Sequence, residues 1–297
     1  MSEHYFAKRL WSDLGYNPAQ ARAFLVRRMP DKESTLKTIL GMGEMARARD
    51  LGKAVVAEAI GTLFITYFGC MSCLNIQENP GTTDLVLISL AFGFVVAVSV
   101  QVLGHVSGAN LNPAVTCGLL ITGRVTVVRA LLYILAQCVG AVAGAAILKG
   151  FTPDSFRATL GTTALGKDMT AQQGLGVEFM LGFLLVLTVF GVIDPHKPDC
   201  KFTAPLAIGL AVAVGHLSSI DYTGSSMNPA RSLGSAVLSG NWDDHWVYWL
   251  GPILGGVVAA VLYATLFAAS PPSEYAPVAG GQATELKGLD KRNDGNA

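Results

Sequence analysis

Long apolar segments alternate with short polar stretches along this chain, at approximately 54–74, 84–104, 127–148, 173–194, 203–221 and 245–269. Each is close to the roughly 20 residues an α-helix needs to cross a hydrocarbon core of about 30 Å. Two further apolar stretches, "AVTCGLLI" after Asn112 and "ARSLGSAVL" after Asn228, are too short to span. The pattern therefore predicts six transmembrane helices and two shorter pieces that enter the membrane without crossing it.

The polar positions between the spans repeat. "VVAEAIGTLF" near the start of the first span parallels "LGVEFMLGFL" near the start of the fourth. "LAFGFVVAVSVQVLGHVSGANLNPAVTCG" parallels "LAIGLAVAVGHLSSIDYTGSSMNPARSLG". Glu58 lies 54 residues before Asn112, and Glu178 lies 50 before Asn228. Three spans per half is an odd number, so the second half sits upside down relative to the first. Such inverted repeats place a binding or conduction site near the midplane, where interrupted helices meet.

Asn-Pro-Ala occurs at Asn17, Asn112 and Asn228. Asn is a good N-cap, and proline is favoured at the first helical position, where its missing N–H costs nothing. Asn112-Pro113-Ala114 and Asn228-Pro229-Ala230 therefore read as starts of two half-helices. By the inverted repeat, these enter from opposite sides and meet nose to nose. Two positive dipole ends then face each other, a barrier to cations and hydronium. Each asparagine oxygen caps its own helix and leaves the amide NH₂ to point into a lumen as a donor. Non-helical backbone at membrane depth is tolerated where it lines a water-filled cavity, and "GHVSGANL" and "SIDYTGSS" supply such backbone. The residues describe a water-filled pore with a proton-excluding waist. Asn17 sits in a charged tail and reads as an ordinary helix cap.

Composition agrees: 51% of the 297 residues are hydrophobic and 14% charged, against roughly 25% charged in soluble domains. Net charge is zero, so nucleic acid is not expected as a partner, whereas the lipid bilayer is. Of 21 Lys and Arg, 17 fall in the two tails and on one side of the spans. Only Lys149, Arg157 and Lys167 fall on the other, and Arg231 lies in the second short segment. The positive-inside rule then places both termini in the cytoplasm. Trp242, Trp246 and Trp249 suit an outer interfacial belt. Cys70 and Cys73 form a C-x-x-C with no second pair, so neither a metal nor a redox site is expected. No cofactor is implied, and no nucleotide loop, acyl-transfer triad or metal cluster points to an enzyme.

At these residues the chain resembles the aquaporin family (the major intrinsic proteins) over roughly 50–270. The resemblance implies an all-α membrane fold: a right-handed bundle of six transmembrane helices plus two re-entrant half-helices. It also implies a homotetramer with one pore per subunit. Carried over by position, Asn112 and Asn228 match the paired pore asparagines. Phe92, His216, Ser225 and Arg231 match the narrow outer filter, and Glu58 and Glu178 match residues that support the re-entrant loops. Ser225 stands where a common family version has cysteine, which weakens the expected block by mercury. Read without the family, Phe92 could face lipid or core, and His216 could be a satisfied buried histidine. An arginine within the membrane marks a pathway by default.

The glycerol-permeable branch has an Asp after the pore Arg and a basic residue five beyond it. Here those places hold Ser232 and Ala236. With His216 filling filter space, the expected function is a water-selective channel, water being the permeant. The alternatives are a glycerol or small-solute facilitator and a junctional or scaffolding protein of low conductance. The expected division is a cytoplasmic tail over 1–50, a channel domain over 51–270 with repeats at about 51–150 and 171–270, and a C-terminal tail over 271–297. The plasma membrane is the expected location. In the tails, Phe6, Leu10, Trp11 and Leu14 fit an interfacial helix or a loose segment equally well, and Ser34 or Thr35 is a phosphorylation candidate. His196 in "DPHKPDCK" is a candidate pH sensor. His4, His105 and His245 read as surface or packing residues.

Overall fold

A computed structural model describes residues 32–45, 47–74, 76 and 84–269. Asn17, the Phe6–Leu14 pattern and the C-terminal tail lie outside these residues. The elements are α1 (Lys32–Leu40), α2 (Met42–Met45), α3 (Ala48–Ser72), α4 (Leu85–Ser107), α5 (Pro113–Ile121) and α6 (Val127–Phe151). They continue with α7 (Ala171–Val192), α8 (Ala204–Thr223), α9 (Pro229–Ser239) and α10 (Val247–Leu262), which runs into a π-turn over Tyr263–Phe267. There is no strand among the described residues. The helices α3, α4, α6, α7, α8 and α10 with its extension are long and apolar enough to cross a membrane.

Capping chemistry sets most of these boundaries. Asp84 accepts the Leu87 N–H at the start of α4, and Thr126 accepts that of Arg129 at the start of α6. Thr170 and Gln173 form a reciprocal capping box at α7. Gly108 and Gly224 close α4 and α8 in the left-handed region, at φ 88° and 74°, where a side chain would be strained. The first span begins about six residues earlier than its hydropathy predicts, because Asp50 and Lys53 ride on its exposed face.

Helix pairs repeat between the halves. α3 packs on α6, α7 packs on α10, and α4 crosses α8 at the centre. Glycine permits the closest crossings. A Cβ on Gly140 would lie 2.0 Å from the Ala59 carbonyl oxygen, and one on Gly255 would lie 1.9 Å from that of Phe179. Ala59 and Phe179 directly follow Glu58 and Glu178, so the two crossings are equivalent positions of the repeat. The glycines of "GAVAG" and "GPILG" thus serve as the close contacts expected of them.

Before the first span, α1 and α2 turn about Gly41 (φ 84°), which packs against Thr126. Glu44 pairs with Arg129 at 3.0 Å. Ser34 and Thr35 fall on α1. Between α7 and α8, Asp194 is 1% exposed and holds His196, Tyr263 and Ala269.

Candidate functional site

The two half-helices meet as the repeat requires. Asn112 accepts the Ala114 N–H at 2.8 Å, and Asn228 accepts those of Ala230 and Arg231 at 3.1 and 3.3 Å. Each asparagine also crosses to the other half. The Asn112 amide donates to the Met227 carbonyl at 2.8 Å, and the Asn228 amide donates to the Leu111 carbonyl at 2.8 Å. The amide expected to be free for a lumen is therefore half spent. One N–H of each amide locks the opposite loop, and the amide carries a second. Pro113, Ala114, Pro229 and Ala230 are buried in the first turns.

The approach loops share one unusual conformation. Residues 108, 109 and 111 have positive φ, as do 224, 225 and 227. Left-handed residues placed among ordinary ones turn successive N–H groups to one side, a nest that suits an anion. The anion is a buried glutamate in each half. Glu58 accepts the N–H groups of Asn110 (2.9 Å) and Leu111 (2.6 Å), the Ser107 hydroxyl (2.6 Å) and the Gln137 amide (2.8 Å). Glu178 accepts the N–H groups of Ser226 (2.9 Å) and Met227 (3.0 Å) and the Thr223 hydroxyl (2.7 Å). Both glutamates are fully buried.

A cavity of about 330 Å³ runs past this waist, lined among others by Asn112, Asn228, Phe92, His216 and Arg231, with Lys201 at one end. Phe92 and His216 stack with centroids 4.3 Å apart. The Arg231 guanidinium carbon lies 5.0 Å from the Phe92 centroid, within cation–π range. His216 Nδ1 lies 3.0 Å from the Val212 carbonyl. A carbonyl only accepts, so Nδ1 carries a proton, and in the neutral ring Nε2 is then an acceptor. His216 Nε2 and Arg231 Nε and Nη1 have no protein partner among the described residues. The site thus offers one acceptor and fixed cationic donors beside an aromatic wall. Ser225 is fully buried, and the cavity lining does not include it.

Residues 45–263 match the sequence profile of the family described as major intrinsic protein. The chain belongs to that family. It is 48% identical over 217 residues to Aquaporin-4 of Mus musculus, covering 72% of this chain and 67% of that protein. To Aquaporin-1 of Homo sapiens it is 45% identical over 216 residues, covering 71% and 80%. The X-ray structure of the aquaglyceroporin from Plasmodium falciparum superposes with a TM-score of 0.67 at 23% identity, over 73% of this chain and 96% of that one. The last likeness speaks to fold alone. This major intrinsic protein is thus a multi-pass membrane protein built from six spans and two half-helices in inverted repeat.

Several residues of the site escape a reading of the sequence. Ser107 and Thr223, the hydroxyls on the two glutamates, stand five residues before their asparagines, a signal visible once the halves are aligned. Gln137 bonds Glu58 and also the Thr116 hydroxyl at 3.0 Å. Tyr133 donates to the Ser107 carbonyl at 2.8 Å and accepts from Arg129. In the second half, Ser232 donates to Ser226 at 2.7 Å. Tyr133 and Gln137, isolated polar residues in an apolar span, carry no pattern that announces their partners.

Proposed function

We propose that this protein is a passive, water-selective transmembrane channel that excludes protons and ions. The observation that carries the proposal is the reciprocal lock of Asn112 and Asn228 on the wall of a cavity that also holds Arg231. At the lock, two helix N-termini face each other and disfavour any cation. The remaining asparagine N–H groups then orient a water as an acceptor from both sides, which interrupts a proton-conducting chain. Phe92, His216 and Arg231 serve as the narrow filter, with Ser225 beside them. Arg231 repels cations, and the aromatic wall limits solute size. Glu58 and Glu178 hold the loop N–H groups back so that the carbonyls face the lumen.

Ser232, Ala236 and the space taken by His216 favour water over glycerol. The channel domain is assigned to 51–270 between cytoplasmic tails, and the assembly to a homotetramer in the plasma membrane with both termini inside. The distribution of Lys and Arg supports this orientation. Stopped-flow light scattering on proteoliposomes tests the reading. Water flux well above that of lipid alone, with a low activation energy and slow glycerol entry, is expected. Rapid glycerol entry moves the protein to the other branch, and flux no greater than that of lipid overturns the channel reading.

A further inference from the structure

The two half-helices are braced from different places, and the difference points to a residue that governs the second. In the first half the brace is Gln137 on α6, which donates to Glu58 and to Thr116 on α5. Thr116 in turn lies 3.4 Å from the Asn110 amide. The equivalent crossing on α10 places Pro252 where α6 has Gln137, each three residues before the glycine that touches α3 or α7. Proline has no side-chain donor, so the second half lacks this brace. Ser226 and Ser232 stand at the repeat positions of Asn110 and Thr116.

Their missing partner comes from the loop between α6 and α7. Thr163 donates to Ser232 at 2.9 Å, Ser232 donates to Ser226 at 2.7 Å, and Ser226 donates to the Asn228 carbonyl at 3.1 Å. All four residues are buried. The hydroxyls thus run in one direction, from the loop to the pore asparagine, and Ser226 lines the cavity. The loop itself is seated on backbone. The Gly166 N–H donates to the Tyr222 carbonyl at 2.8 Å, and a Cβ on Gly224 would lie 3.1 Å from the Thr163 Cα.

We infer that Thr163 is a positioning residue for the pore: acting through Ser232, it fixes Ser226 and the adjoining Arg231 against the lumen. This rests on the channel reading above. Both half-helices pack on spans, the second with Gly234 against Ala141 of α6, but the polar brace comes from a span in the first half and from the loop in the second, so the loop adjusts the second half of the pore.

The test is flux through proteoliposomes carrying wild type, Thr163→Val, Thr163→Ser and Ser232→Ala, each normalised to correctly assembled protein. Thr163→Val keeps the shape and removes the donor. It is expected to lower water flux per channel by about two- to tenfold, the range by which one lost hydrogen bond shifts an equilibrium, and to raise the glycerol-to-water ratio. Thr163→Ser restores both. Ser232→Ala cuts the same chain from inside the half-helix and reproduces the change, even where Thr163→Val assembles poorly. Thr170→Ala removes a helix cap and lowers the melting temperature alone. Wild-type flux and ratio in Thr163→Val or in Ser232→Ala overturn the inference, whatever the melting temperature. A wild type that conducts no more than lipid overturns the channel reading instead, and this inference with it.

Discussion

Asn112 donates its side-chain amide to the backbone carbonyl of Met227 at 2.8 Å, joining a half-helix of the first repeat to a loop of the second. Asn228 makes the mirror bond to Leu111. The asparagine is therefore a cap and a cross-brace at once. Asn112→Ala removes a cap and leaves a buried carbonyl unpaired, together about 2–4 kcal/mol. Asn228→Ala is expected to cost as much. The double variant is expected to cost less than the sum, because each bond loses its rigid partner when the other is cut. Thermal unfolding of the four proteins in detergent checks this; strict additivity would show that the two locks are independent.

The glutamates give a second expectation. Glu58 and Glu178 each meet only donors, so replacing a carboxylate oxygen by an amide turns one of those contacts into donor against donor. Loss of a charged hydrogen bond is worth about 1.5–3 kcal/mol. Glu58→Gln is expected to destabilise by that order and to reduce the yield of folded protein. Glu58 has four donors and Glu178 three, so Glu58→Gln should be the worse variant. Melting temperatures of the two, measured side by side, decide it.

At the proposed filter, size and charge separate into two substitutions. His216→Ala removes one ring of the stacked pair and widens the passage, so glycerol flux should rise while protons stay excluded. Arg231→Val removes the fixed cation, so a proton or alkali-cation leak should appear. Paired light-scattering and pH-indicator assays distinguish them. If His216→Ala leaves glycerol entry unchanged, the ring does not set the size limit.

Asp194 gives a pH expectation outside the spans. The Ala269 and His196 N–H groups and the Tyr263 hydroxyl, each at 2.9 Å, hold its carboxyl down to about 2. A folded value below the unfolded one means a contribution that is whole above about pH 4 and lost as pH falls through about 2. The tie between the 193–203 segment and the end of the last span is thus constant across the physiological range. A pH response of water flux between about pH 5.5 and 7.5 must therefore come from a group other than Asp194. Asp194→Asn is expected to expose the segment to protease already at neutral pH; protection equal to wild type would sink the idea.

Much of this was legible because the bilayer imposes a length on every span, and an inverted repeat leaves two copies of each important residue to compare. Glu58 with Glu178, and Asn112 with Asn228, are such pairs. The chain gave no comparable sign of Gln137 or Thr163, because each brace exists in one half only. Nor could it show that half of each asparagine amide is spent across the repeat, since the acceptors, Met227 and Leu111, are backbone carbonyls that any residue would supply. The first span begins ahead of its apolar run because Asp50 and Lys53 lower the local hydropathy while remaining exposed on the helix.

Ser225 offers a last expectation that also tests its place in the filter. The free cysteines Cys70, Cys73, Cys117, Cys138 and Cys200 are absent from the cavity lining, so a mercurial has no thiol there to bridge. Wild-type water flux is expected to be weakly inhibited by mercuric chloride. Ser225 is fully buried, its N–H on the Thr223 hydroxyl at 3.2 Å and its neighbour Ser226 on the lumen. If the filter wall includes position 225, Ser225→Cys keeps basal flux nearly intact and becomes strongly mercury-sensitive, with recovery under excess thiol. A Ser225→Cys channel that conducts normally and ignores mercury would remove Ser225 from the filter and leave Phe92, His216 and Arg231 to form it alone.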